Sequence, residues 1–271
     1  MCAEEVGMDF VHAAGLRLGF QRRGEGPCLL LLHGGVSDSR VWRRELDVLS
    51  DAFEVVAWDA PGCGSSSDPP EHFRMAEYAD CLREFIDVLG LGCPHVLGHS
   101  WGSTLALELY RQHATMVSSL VLVGAYAGWA GSLPPEQVEQ RLQFALQIAT
   151  MLINQFEADS MQGLFSDVMP KDRAEELQTI LSEIHPGGTK TMAYALAEAD
   201  LREMLPRIEV PTLLVWGDAD QRSPLSIARE FHASIPRSTL TVMPGLGHDC
   251  YLESPETFEA EVRNFLLSLE T

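Results

Sequence analysis

Along the chain, short unbroken apolar runs alternate with stretches whose apolar positions recur every three or four residues. The runs Cys28–Leu32 (CLLLL), Glu54–Trp58 (EVVAW), His95–Leu97, Ser119–Val123 (SLVLV), Thr212–Trp216 (TLLVW) and the shorter Leu240–Met243 read as strands, because a parallel strand covered on both faces needs near-continuous apolar character. Between them, Val41–Leu49, Met75–Leu89, Ser103–Gln112, Leu225–Ser234 and Thr257–Leu269 carry helical periodicity. Pro255 suits the first turn of the last helix, with Ser254 as its cap. Phe10–Ala13 and Leu16–Gln21, joined through Ala14-Gly15, predict an antiparallel hairpin at a sheet edge. The alternation predicts an α/β fold with a mostly parallel central sheet flanked by helices. The loops at the carboxyl ends of its strands would form the site.

The alternation breaks between about Tyr126 and Pro206. Helical patterns occur there at Pro135–Phe156, Asp172–Ile184 and Lys190–Leu205, without a convincing strand. The expected organisation is a core of residues 1–125 and 207–271 with a helical cap, 126–206, inserted into it. A chain of 271 residues, 46% hydrophobic, suits one large domain carrying such an insertion.

Charge narrows the partners. The net charge is −20, with only two lysines, Lys171 and Lys190, among 19 basic residues. No basic stripe is present to meet a phosphate backbone, and an acidic surface repels anionic membranes, so neither nucleic acid nor membrane is expected. The N-terminal MCAEEVGMDF lacks the basic and apolar regions of a secretory signal, and no run of about 18 apolar residues occurs. Cys2, Cys28, Cys63, Cys81, Cys93 and Cys250 are scattered, without C-x-x-C pairs, as expected of reduced thiols in a cytoplasmic protein.

Candidate chemistry begins at Gly98-His99-Ser100-Trp101-Gly102, a G-x-S-x-G between a predicted strand and a predicted helix. Its glycines admit a turn too tight for larger side chains, which would push the Ser100 hydroxyl out above the sheet as a nucleophile. The competing reading is that Ser100 caps the following helix, although Ser103 could do so equally well. A serine needs a base, and of nine histidines His248 stands out, in the P-G-L-G-H-D loop after the last predicted strand. His113 and His232 fall at helical, solvated positions.

The base needs a carboxylate to hold its tautomer. Asp218 and Asp220 both follow the Thr212–Trp216 strand; Asp220 is favoured, because Asp218 lies in the turn after Gly217 and is placed to bond local backbone. Asp249 adjoins His248 and so cannot easily face it. No carboxylate follows Ser119–Val123 in G-A-Y-A-G. For the oxyanion, the N–H groups of Gly35, in Leu32-His33-Gly34-Gly35, and of Trp101 are the candidate donors. His33 is expected to brace its loop rather than to do chemistry.

These segments together resemble the α/β-hydrolase superfamily: H-G-G at 33–35, D-A-P-G-C-G-S-S at 59–66, G-H-S-W-G at 98–102, G-D-A-D at 217–220 and G-H at 247–248 occur in that family's order. The resemblance implies Ser100 as nucleophile, Asp220 as acid and His248 as base, with structural roles for Asp59, Gly62 and Gly64. Within the family, S-W-G-S-T-L-A-L at 100–107 is similar to prolyl aminopeptidases. The chain departs from them at Val36-Ser37, where they usually continue Pro-Gly, and its cap is shorter, without assignable carboxylates for an amino terminus. The D-x-P-G-x-G turn is also common in hydrolases of carbon–carbon bonds. Members with an aspartate nucleophile are disfavoured by Ser100.

The expectation is therefore a cofactor-independent serine hydrolase of a small carboxylic ester or lactone. A prolyl-type aminopeptidase, a carbon–carbon hydrolase and a ligand receptor on the same fold remain as alternatives. No metal is expected, since no His/Asp/Glu cluster has ligand spacing. Trp129, Phe144 and Met151 are candidate substrate contacts. Phe144, Leu146, Ile148, Met151, Leu152 and Phe156 form an apolar stripe that suits either an acyl pocket or ordinary helix packing.

Overall fold

In a computed structural model of the chain, residues 7–150 and 169–270 are described. Their strands are β1 (Asp9–Ala13), β2 (Leu16–Arg23), β3 (Cys28–Leu32), β4 (Glu54–Trp58), β5 (His95–His99), β6 (Ser119–Val123), β7 (Thr212–Gly217) and β8 (Ser238–Met243). They form one sheet in the order β1-β2-β4-β3-β5-β6-β7-β8. The β1–β2 and β2–β4 pairs are antiparallel and every later pair is parallel. The sheet is thus the expected mostly parallel one, with the hairpin at one edge.

Every residue of β3, β5, β6 and β7 is buried, because both faces are covered. Alternate residues serve opposite layers, as the two-residue period of a strand requires. Leu30, Leu32, Leu120, Leu122 and Leu214 pack with α2 (Met75–Leu89), α3 (Trp101–His113) and α7 (Leu225–Ser234). Leu29, Leu31, Val121, Leu213 and Val215 pack on the other face with Leu46 of α1 (Arg43–Val48) and with Phe258 and Val262 of α9 (Pro255–Leu267). The four-residue α8 (Cys250–Glu253) precedes α9. Burying alternate rows on both faces erases the polar positions that an exposed face would show, hence the unbroken apolar runs.

Between β6 and β7 lie α4 (Pro135–Thr150), α5 (Lys171–Ser182) and α6 (Pro186–Glu198), with α4 packed on α6. Here element boundaries depart most from the periodicity. The helix expected at Lys190–Leu205 begins at Pro186 and ends at Glu198, where Ala199 turns extended, and a 3-10 turn covers Arg202–Arg207. Its start is masked by Gly187-Gly188, a pair that reads as a turn. Gly188 is in fact a close approach, since a Cβ there would collide with the backbone of Gly62. The helix expected at Val41–Leu49 is a 3-10 turn, Ser39–Trp42, running into the short α1. Ser254 occupies the position before α9, but its hydroxyl bonds the Thr257 hydroxyl at 3.0 Å rather than a backbone N–H. No helix among the described residues is long and apolar enough to cross a membrane.

Candidate active site

β5 and α3 meet at Ser100 in a turn that only small neighbours permit. Ser100 is held at φ 51°, ψ −112°, in the left-handed half of backbone space that costs a non-glycine residue free energy. A Cβ on Gly98 would strike the carbonyl of Gly102, and one on Gly102 would strike the carbonyl of Leu32. The Ser100 hydroxyl makes no capping bond to α3. Ser103 does not cap either, its hydroxyl donating to the Gly98 carbonyl at 2.5 Å.

His248 and Asp220 meet across the loops that follow β8 and β7. The His248 Nδ1–H donates to Asp220 Oδ2 at 2.8 Å, with both residues buried. Asp220 Oδ1 accepts the backbone N–H of Arg222 at 2.7 Å and of Ser223 at 2.8 Å, so the carboxylate is oriented from both ends. The Ser223 hydroxyl ties this loop to the carbonyl of Ala125 at 2.8 Å. Gly124, at φ 52°, lies just beneath: an added Cβ would stand 3.0 Å from His248 Cε1 and Nδ1. Asp218 bonds backbone as expected, but across the gap to the loop after β8, accepting the Gly245 N–H at 2.6 Å.

Ser100, His248, Trp101 and Gly35 line one cavity of about 120 Å3. Trp129 and Phe144 line it too, whereas Met151, Leu152 and Phe156 lie outside the described residues. Leu146 is not among the lining residues and Ile148 is, so the apolar stripe is divided between cavity and packing. Gly35 and Trp101 approach closely, a Cβ on Gly35 standing 3.8 Å from Trp101 Cβ. Next to Gly35, Val36 has φ 53°, a conformation that β-branched residues avoid. The loop is braced by His33, whose Nδ1–H donates to the Gly34 carbonyl at 2.7 Å while Nε2 accepts the Ala60 N–H at 3.0 Å. Asp59 holds the adjoining turn, accepting the N–H groups of Ser39 at 2.9 Å and Ser65 at 2.7 Å.

The motifs left several lining residues unnoticed. His99 packs against His248 with the rings tilted and their centroids 4.8 Å apart, and donates from Nε2 to the His248 carbonyl at 3.2 Å. Asp249 Oδ1 lies 3.5 Å from the same nitrogen. Burial pushes His99 well below the usual imidazole range and the Asp249 carboxyl up to about 7. Arg141 of α4 and Arg222 also line the cavity. Arg141 Nη1 donates to the Tyr126 hydroxyl at 2.8 Å and Nη2 to the Arg222 carbonyl at 2.7 Å. His99 and Asp249 are marked by burial and the two arginines by proximity to the cavity, and no spacing rule reports either. No group of three or more His, Cys, Asp or Glu side chains that could hold a metal ion occurs among the described residues.

Comparison with known proteins follows the same outline. The α/β-hydrolase fold model matches residues 27–255. The chain belongs to the α/β-hydrolase family. It is 27% identical over 256 residues to a pimeloyl-[acyl-carrier protein] methyl ester esterase of Vibrio vulnificus, covering 92% of this chain and 97% of that protein. A putative carbamate hydrolase of Caulobacter is 30% identical over 246 residues, covering 88% and 90%. Among solved structures, a thermophilic esterase from Thermogutta terrifontis superposes with a TM-score of 0.88 at 25% identity, over 98% of this chain and 100% of that one. These relatives support a hydrolase.

Proposed function

We propose that this α/β-hydrolase is a cofactor-independent serine hydrolase that cleaves a small carboxylic ester or lactone through an acyl-enzyme. The observation that carries the reading is the buried 2.8 Å bond from His248 to Asp220, on the wall of the cavity that Ser100 enters in a strained turn. A bond at Nδ1 leaves Nε2 as the free base. Ser100 Oγ attacks the carbonyl carbon and its proton passes to His248 Nε2. The oxyanion is held by the N–H groups of Gly35 and Trp101, which have no other acceptor among the described residues. Collapse breaks the carbon–oxygen bond, and the leaving alkoxide takes the proton from Nε2. Water then attacks the acyl carbon, giving one proton to His248, which returns it to Ser100 as the acid departs. With a lactone the alcohol stays tethered and the product is a hydroxy acid.

In this reading α4–α6 are a cap over a cytoplasmic enzyme's small-molecule site. The cavity is near the roughly 150 Å3 that admits benzene in an engineered protein core, which suits a short acyl or aryl group. A prolyl aminopeptidase would need carboxylates facing the substrate's amino terminus, and among the described lining residues Asp249 is the one carboxylate, set beside Arg141 and Arg222. The test is a fluorophosphonate label mapped by mass spectrometry, with turnover of p-nitrophenyl acetate. Labelling at Ser100 with turnover is expected. Labelling without turnover of any ester, amide or lactone would leave a receptor, and release of proline from a prolyl amide would leave the aminopeptidase.

A further inference from the structure

The cavity wall carries more positive charge than the proposed chemistry uses. In a chain of net charge −20, two arginines line the same small space as Ser100. Arginines in this fold are otherwise commonly paired, as Arg40 is with Asp38, Arg44 with Glu259, and Arg111 with Glu108. Neither Arg141 nor Arg222 has a carboxylate within salt-bridge distance among the described residues. Arg141 is partly employed, tying α4 to Tyr126 and to the Arg222 carbonyl. The Arg222 guanidinium makes no hydrogen bond to any described group, although burial works against its charge and pulls its pKa below the usual value.

The carboxylates near it are engaged or only partly charged. Asp220 has both oxygens committed, to His248 and to two backbone N–H groups. Asp249 is pushed up to about 7 and is therefore fractionally protonated at neutral pH. Beside Arg141, whose guanidinium carbon stands 6.0 Å from the Trp129 ring, the Trp129 indole N–H is buried without an acceptor. Arg222 is half-buried, and a partly desolvated cation without a partner is disfavoured unless something fills its place.

We propose that Arg222, supported by the charge of Arg141, binds a carboxylate on the substrate, so that the preferred substrates are half-esters of short dicarboxylic acids or lactones that carry a free carboxylate. A planar guanidinium matches a carboxylate with two parallel bonds, which positions the chain as well as attracting it. The apolar lining at Phe144, Ile148 and Leu196 takes the methylenes between the two ends. The inference rests on the hydrolase reading for the reaction, while the carboxylate site itself does not need turnover.

The experiment therefore has two arms. In the first, kcat/KM is measured for monomethyl succinate, glutarate and adipate against their dimethyl esters. The native protein is expected to favour at least one half-ester by about tenfold or more, the scale of one charged hydrogen bond. Arg222→Ala should erase that preference and Arg222→Lys restore part of it; Arg222→Gln serves if the alanine variant does not fold. No preference for any half-ester, or one that survives loss of the guanidinium, overturns the proposal. In the second arm, calorimetry follows glutarate and inorganic phosphate binding to the Ser100→Ala protein with and without Arg222→Ala. Glutarate binding that needs Arg222 upholds the site even if neither ester is hydrolysed, in which case it is the hydrolase reading that fails. Phosphate bound as well as glutarate overturns the assignment to carboxylates.

Discussion

Two histidine–carboxylate pairs lie side by side above the sheet, built from the same residue types and even from adjacent positions. In one, His248 donates to Asp220 at 2.8 Å, and the carboxylate is held by two backbone N–H groups from its own loop. In the other, His99 and Asp249 stand 3.5 Å apart, and the Asp249 carboxyl accepts no backbone N–H among the described residues. Both pairs are buried, yet burial pushes Asp249 up to about 7 and His99 well down, toward two neutral groups rather than an ion pair. What separates the pairs is the supply of donors to the carboxylate. A desolvated anion persists where N–H groups replace its lost water and is disfavoured where they do not. In the proposed mechanism the first pair would stabilise an imidazolium during turnover, whereas the second acts as packing and as a prop, through the His99 bond to the His248 carbonyl.

The sharpest way to break this contrast is to neutralise each pair in turn. Ser100→Ala and His248→Gln should lower kcat by about 10⁴-fold or more, and Asp220→Asn by about 10⁴-fold, because the wrong tautomer then faces Ser100. Asp249→Asn and His99→Gln should lower it by no more than about tenfold, the scale of a 1.4 kcal/mol perturbation. Steady-state rates on p-nitrophenyl acetate check both halves. If Asp249→Asn costs as much as Asp220→Asn, the division of labour is wrong.

Sequence pattern reached the first pair and not the second for a physical reason. Gly98 and Gly102 are demanded by backbone collisions, and Gly34 by the His99 ring, and such demands leave a residue type in the chain. The parallel strands were legible because coverage on both faces removes polar positions. His99 and Asp249 depend on burial and on distance, neither of which any spacing rule encodes. The same holds for Arg141 and Arg222, which meet only because α4 folds back over the acid loop. Gly124 could have been noticed: G-A-Y-A-G was read for a missing carboxylate, when its first glycine is what makes room for the imidazole. The start of α6 is hidden because the helical Gly188 exists for its contact with Gly62, not for helix propensity.

That overlooked glycine offers a middle-sized test. Gly124→Ala puts a Cβ 3.0 Å from the His248 ring, so the imidazole must give by a few tenths of an ångström, a fraction of the 1 Å misplacement that can cost about 10²-fold, and turnover should fall by up to about tenfold. Gly92→Ala is the control, with a similar positive φ of 66° and nothing within 4 Å of the added carbon. Each should lose about 1–2 kcal/mol of stability from left-handed strain, measurable by denaturant titration. Only Gly124→Ala should also lose turnover. Equal rates in the two variants would mean that the imidazole is not held by this floor.

The last expected effect is on stability rather than rate, and its sign follows from Asp249. The folded protein holds this carboxyl up to about 7, above the ordinary carboxylate value of 3.8, so between those values it binds more protons than the unfolded chain does. Its contribution is therefore fully present below about pH 4 and is lost as pH rises toward 7. Asparagine keeps the shape and cannot ionise. Asp249→Asn should match the native protein near pH 4 and become progressively more stable relative to it up to pH 7, by an amount on the order of 4 kcal/mol at most, levelling off above that. His99 runs the other way, since a lowered imidazole makes the fold lose stability as pH falls below 6.5. Thermal unfolding at pH 4.5, 6 and 8 reads the gap directly. A gap that stays constant across that range would mean that Asp249 is already ionised in the fold, and the second pair would then resemble the first after all.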